Sequence, residues 1–246
     1  MNTLDLSEAM LWTERLLGAG LFIQSVELIK TRSIYESGGA LEGSAVTPWL
    51  ALRLGLASLL IVSPLEPLSW ASVIANMLLL GNSIWLTVRS RGPVCGGSDS
   101  MLFQVQLGLL IGSLGFLEPT LVKLGLGWIA AQSVLSYFLA GVSKLRTDDW
   151  WNGRALQNLL ASKGPYVVFA PARRLASHRP LCGVLGGGMI LFELLFPAVL
   201  ILPMEGKIAL LSLGLLFHLG NALLLGLNRF LWAWAATYPA ILAMSR

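Results

Sequence analysis

The feature that most constrains this chain is the recurrence of apolar stretches long enough to cross a lipid bilayer, separated by only short polar breaks. A membrane-crossing helix needs about 20 predominantly apolar residues. Stretches of that kind fall at about 11–31, 46–63, 67–89, 101–117, 119–145, 182–202, 206–226 and 229–244. Backbone groups in hydrocarbon must be paired within the protein, so segments of this length read as helices. The charged content is 12%, half the roughly 25% of a soluble domain, and mean hydropathy is +0.72. The predicted fold is all-α: a polytopic bundle of about eight transmembrane helices plus an interfacial helix, forming a single domain over residues 1–246.

Pro48, Pro64, Pro67, Pro119, Pro180, Pro203 and Gly206 mark most of the breaks. Only Glu118-Pro119 separates the fourth and fifth stretches, which predicts a tight hairpin. The net charge of +4 does not indicate nucleic acid, because the Lys and Arg residues gather between apolar segments. They concentrate after the odd-numbered stretches: Lys30 and Arg32, Arg89 and Arg91, then Lys144, Arg146, Arg154, Lys163, Arg173, Arg174 and Arg179. By the positive-inside rule those loops are cytoplasmic and both termini lie outside, in a multi-pass protein of the cell inner membrane. The acidic, amphipathic beginning, Met1 to Glu14, does not read as a cleavable signal peptide.

The longest polar region, about 145–180, carries its own pattern. Asp148-Asp149-Trp150-Trp151 precedes Arg154, and Ala155-Leu156-Gln157-Asn158-Leu159-Leu160 follows with helical spacing, which predicts a short helix lying in the membrane interface. Pro165 to Pro171 is apolar and bracketed by prolines, as in a segment that dips back into the membrane. Cys95 and Cys182 fall on the same predicted side, as a disulfide if that side is oxidising and as two thiols if it is not.

Ionisable groups inside spans are costly, so they pair or line a cavity. Arg53, Glu193 and His218 share roughly the same depth, and Glu27 lies near the depth of Lys144. Arg53 requires an acceptor, with Glu193 the expected partner and Glu27 the second choice; such a pair can be helix glue without chemistry. His218 and Asn221 are three residues apart and share a helix face, where His218 can also be a neutral imidazole bonded to a neighbouring helix. Ser133, Tyr137, Ala140 and Lys144 share another face. Lys144 at a helix end can snorkel to water, or in an apolar pocket can serve as a base. Gly183, Gly186, Gly187 and Gly188 allow close helix packing. No metal-ligand spacing, P-loop or nucleophile triad is present, with only two His 40 residues apart.

Three stretches carry a family resemblance. Ala140-Gly141-Val142-Ser143-Lys144-Leu145 with Trp150 and Gly153, then Phe192-Glu193-Leu194-Leu195-Phe196-Pro197, then Phe217-His218-Leu219-Gly220-Asn221 with Gly226 and Phe230, follow one another in the chain. In order and spacing they resemble the HTTM superfamily, which includes the membrane domain of the vitamin K-dependent gamma-carboxylase. Its small bacterial SdpB-like members look like helpers in maturing exported peptides, and lipase maturation factors share the second motif. The resemblance implies that Lys144 sits where the carboxylase has its base. It also implies a site containing Glu193 and His218, with Tyr137, Asp99, Asn221, Trp150 and Trp151 contacting substrate or a quinone; Arg53 and Glu27 are read, from their place inside apolar spans, as a structural polar network. Asp99 stands where the carboxylase is aligned with a histidine.

Two functions are therefore expected. One is a quinol-coupled membrane enzyme that modifies or matures an exported peptide or protein, with a quinone or hydroquinone as cofactor. The alternative is a non-catalytic maturation or assembly factor, or a subunit of a membrane complex. In both, the lipid bilayer is the surrounding partner and nucleic acid is not.

Overall fold

A computed structural model describes residues 4–30, 46–62, 66–90, 96–161 and 174–244. The described residues are helical throughout, with no strand among them, as expected. In chain order they form α1 (Leu6–Lys30), α2 (Val46–Val62), α3 (Trp70–Ser90), α4 (Gly97–Ser113), α5 (Thr120–Leu145), α6 (Asp148–Trp151), α7 (Arg154–Ala161), α8 (Arg179–Leu195), α9 (Met204–Leu225), α10 (Asn228–Ala235) and α11 (Tyr238–Ala243). Short 3₁₀ turns extend α4 through Leu114–Phe116 and α8 through Phe196–Leu200.

Five of these helices are long and apolar enough to cross a membrane: Trp70–Val88, Gly97–Phe116, Thr120–Leu145, Arg179–Leu200 and Met204–Leu225. These five, counted among the described residues, make this a multi-pass membrane protein. Val46–Val62 is apolar but shorter. Helix α1 begins earlier than predicted and carries Glu8, Glu14, Arg15, Glu27 and Lys30 along its length. The last expected span, 229–244, is corrected: it is two short helices that break at Ala236-Thr237. Pro239 supplies the reason, because it has no N–H to continue a helix and its ring clashes with the carbonyl four residues back. Thr237 closes the break by donating its hydroxyl to the Trp234 carbonyl at 2.7 Å.

The chain divides into two compact units, Met1–Ala130 with Trp232–Arg246, and Ala131–Leu231. The first contains α1 to α4, the beginning of α5, and α11. In it α4 and α5 form the expected hairpin, where the Glu118 carboxylate accepts from the Thr120 amide at 3.3 Å and hydroxyl at 3.1 Å. Glycines let their backbones touch: a Cβ on Gly125 would lie 2.3 Å from the Gly108 carbonyl oxygen, so any larger residue would part the helices. Without a hydrophobic drive between helices in lipid, such close packing and polar bonds hold the unit together. Glu14 of α1, for instance, is fully enclosed and accepts from the Ser72 hydroxyl at 2.6 Å and the Asn76 amide at 3.0 Å. The second unit contains the rest of α5, then α6 to α9, and carries the candidate site.

Candidate functional site

Helix α5 places Ser133, Tyr137 and Lys144 on one face, with Ser133 and Tyr137 buried. Helix α8 crosses that face at Gly141, where a Cβ would meet the Leu194 amide nitrogen at 3.0 Å and the Glu193 Cβ at 3.1 Å. The absent side chain is what lets α8 come near enough for its carboxylate to reach the end of α5. There Lys144 Nζ donates to Glu193 Oε1 at 2.7 Å and Oε2 at 2.8 Å. The lysine side chain retains 17% exposure and the glutamate 4%. The Trp150 ring lies over the ammonium, 5.3 Å from Nζ to the ring centroid, a cation–π arrangement.

The backbone of α6 is held against α8 by glycines. A Cβ on Gly186 would lie 2.4 Å from the Trp150 carbonyl oxygen, and one on Gly183 2.9 Å from that of Trp151. Gly187 meets the Trp151 ring at 3.3 Å, whereas Gly188 faces open space. The turn after α6 needs Gly153, which has φ of 78° and sits against the Arg179 carbonyl. Arg179 Nε closes the junction by donating to the Asn152 carbonyl at 3.0 Å. Trp151 is half exposed and donates its indole N–H to the Leu145 carbonyl at 3.4 Å. The amphipathic helix predicted at 155–160 is α7, whose Leu156 and Leu160 bury against Ala176 and Cys182. Cys182 is a free, buried thiol; Cys95 and the Pro165–Pro171 segment lie outside the described residues.

Two helical turns before Lys144, about 10 Å along the axis, a second polar pair forms. Tyr137 Oη and His218 Nε2 of α9 are 2.7 Å apart, and either can be the donor according to the imidazole tautomer. An aromatic sleeve surrounds them: Phe196 stacks on Tyr137 with centroids 3.8 Å apart, and Phe192 meets it edge-on at 5.6 Å. Phe217 lies 5.0 Å from His218, and Phe230 6.4 Å. Inside such an apolar sleeve a hydrogen bond is strong and an unpaired polar group is costly. Asn221 lies half-buried one turn further along α9, where its carbonyl accepts from Leu227 N at 3.2 Å and helps close the helix at Gly226.

Lys144, Glu193, Tyr137, His218 and Trp150 are thus brought together within one unit. Arg53, Glu27 and Asp99 belong to the other. Arg53 and Glu193, the pair expected from shared depth, lie in different units, and within its own unit Glu193 accepts from Lys144 with both oxygens. Arg53 is enclosed and donates from Nη2 to the Ser83 hydroxyl, which in turn donates to Gln106 Oε1 at 2.8 Å. Depth counted from helix edges ignores rotation about the helix axis, so it could not have singled out the Lys144–Glu193 contact. Asp99 caps α4, accepting from the Gly96 amide at 3.1 Å and from the Gln24 amide nitrogen. Sequence reasoning passed over Gly141 as a packing position and over the buried Glu14; the signal for the latter was Ser72 and Asn76, four apart on one face of α3. No cluster of three or more His, Cys, Asp or Glu able to hold a metal occurs among the described residues.

Residues 119–245, more than half of the chain, match the family model described as HTTM domain. Comparison with curated proteins finds no match, and comparison with solved structures finds none.

Proposed function

The chain belongs to the HTTM domain family, and from that premise we propose that it is a membrane enzyme whose acid–base centre is the Lys144–Glu193 pair. The chemistry is proton transfer to or from a membrane-dissolved substrate of the quinol class, coupled to modification or maturation of an exported peptide at the inner membrane. The observation that carries this reading is the geometry of the pair. Both carboxylate oxygens lie within 2.8 Å of Nζ while the lysine alone keeps an opening to the outside. A general base needs a partner at hydrogen-bond distance that can hold or relay the proton. Here a proton passed from Nζ to Glu193 leaves an amine, and that amine takes one proton from a substrate hydroxyl, leaving the oxyanion beside a restored ammonium. Trp150 and the α6–α8 junction hold the lysine in place, and the Tyr137–His218 pair offers a second proton-exchanging couple.

Lys144→Arg tests the proposal. Arginine keeps the charge and pairs in bidentate fashion with a carboxylate, so folding and expression should stay near wild type. A guanidinium does not give up its proton, so activity in a complementation assay should be lost. Normal expression with retained activity would overturn the base assignment.

The second reading, a non-catalytic maturation or assembly factor, draws support from a different feature. The α6–α7 layer and the adjoining start of α8 present Trp151, Leu159 and Leu181 at the surface, each more than 40% exposed. Apolar residues grouped on such a layer suit contact with lipid or a partner chain. In that case Lys144→Arg is silent and Trp151→Ala is not.

A further inference from the structure

The second unit contains a buried cation that the Lys144 site does not use. Lys207 closes the first turn of α9, on the same buried face as Leu211, Gly214 and His218. It precedes His218 by three turns, about 16 Å along the axis. The residue is only 3% exposed. Among the described residues it makes no ion pair, and its Nζ gives no hydrogen bond. An ammonium buried without a partner is costly, so the position calls for an anion. Glu205 does not supply it: residues two apart on a helix do not face each other, and Glu205 is exposed.

The backbone beside it calls for the same charge. Pro203 is the N-cap of α9, and no side chain caps the turn. The amides of Met204, Glu205 and Gly206 have no partner within the helix, and they meet no acceptor among the described residues. Side chains on a helix lean toward its N-terminus, so Lys207 leans toward the end where these amides point. A cation there opposes the helix dipole, and an anion satisfies the lysine, the amides and the dipole together. The level in the membrane names the source of the anion. α8 with its extension crosses as Arg179–Leu200 and α9 as Met204–Leu225, so the turn between them stands at the membrane edge, where lipid headgroups lie. Leu200 and Ile201, 53% and 87% exposed, flank that turn with apolar surface.

We propose that the α8–α9 hairpin binds the phosphate of an anionic phospholipid, phosphatidylglycerol in chemical class. Lys207 pairs with one phosphate oxygen, the first-turn amides donate to another as at other phosphate-binding helix N-termini, and the acyl chains run past Leu200 and Ile201. A choline headgroup carries its own cation beside the phosphate, so it gains less from Lys207. All of these residues belong to one unit, and the assignment is independent of the Lys144 reading.

The test adds phosphatidylglycerol, phosphatidylcholine or inorganic phosphate to the full-length protein in neutral detergent, read by native mass spectrometry and by unfolding midpoint. Phosphatidylglycerol should be retained best and raise the midpoint most, and inorganic phosphate, which has no acyl chains, should shift it little. Lys207→Met keeps an unbranched apolar stem and removes the charge. It should weaken phosphatidylglycerol by roughly ten- to a hundredfold, as for loss of a charge-assisted hydrogen bond. Without lipid the same variant should unfold at or above the wild-type midpoint, because no ion pair is lost. Lys123→Met, at an exposed position, should leave the lipid preference intact. Equal binding of the glycerol and choline lipids overturns the proposal, as does a preference that survives Lys207→Met or is lost equally in Lys123→Met. A lowered midpoint of Lys207→Met without lipid overturns it too, and stabilisation by inorganic phosphate equal to that by phosphatidylglycerol overturns the lipid as the source.

Discussion

Separating the two members of the Lys144–Glu193 pair should have unequal consequences, and the inequality follows from their surroundings. Removing one partner of a buried ion pair typically costs about 3–5 kcal/mol, because the remaining charge is uncompensated. In Lys144→Met the survivor is a carboxylate 4% exposed whose hydrogen bonds both came from Nζ, so the full cost applies. In Glu193→Gln the survivor is an ammonium with 17% exposure lying over the Trp150 ring. It keeps the cation–π contact, about 1–2 kcal/mol when partly desolvated, and can turn toward water. The glutamine oxygen still accepts one bond. Glu193→Gln should therefore cost about 1–2 kcal/mol, clearly less than Lys144→Met. With both charges gone, the double variant should lose about 1–2 kcal/mol, leaving a coupling of about 4 kcal/mol. Reversible unfolding in mixed micelles, followed by tryptophan fluorescence, measures all four corners of the cycle. Equal costs for the two single changes, or additivity within about 0.5 kcal/mol, would refute the reasoning.

Tyr137→Phe keeps the stack on Phe196 and removes only the hydroxyl that meets His218; it should cost about 1–3 kcal/mol in the same unfolding assay, as for a buried hydrogen bond broken on one side. Gly186→Ala drives a methyl against the Trp150 carbonyl and should destabilise by about 1–3 kcal/mol. Its neighbour Gly188→Ala points into open space and should stay within about 0.5 kcal/mol. A cysteine introduced at Ser162 in a cysteine-free background should resist an impermeant thiol reagent applied from outside, as the positive-inside rule predicts from the Lys and Arg residues around it; labelling from outside would refute that prediction.

The class of fold was legible because its cause is local. In lipid the backbone has no water to bond, so apolar stretches of this length must coil on themselves wherever they fall in the chain. The Glu118-Pro119 hairpin and the amphipathic α7 were readable for the same reason, since turn chemistry and periodicity act over a few residues. The stop at Pro239 was also written locally, but the apolarity of 229–244 masked it. Within the site, the sequence brought Ser133, Tyr137 and Lys144 to one face of α5, because residues three and four apart on a helix share a side.

Which helix that face meets was decided only in three dimensions. Glu193 stands at a depth that suits Arg53 as well as any other cation, and nothing in the linear pattern records the rotation of α8 about its axis. The tertiary structure settles it through contact. Gly141 admits α8 against α5, Gly183 and Gly186 admit α6 against α8, and these approaches turn Glu193 and Trp150 onto Lys144. His218 reaches Tyr137 from 81 residues away by the same kind of packing. Hydropathy acts on each helix alone, so one sequence determines its own helices; partner choice depends on the shapes of two surfaces at once, and only the assembled bundle contains both.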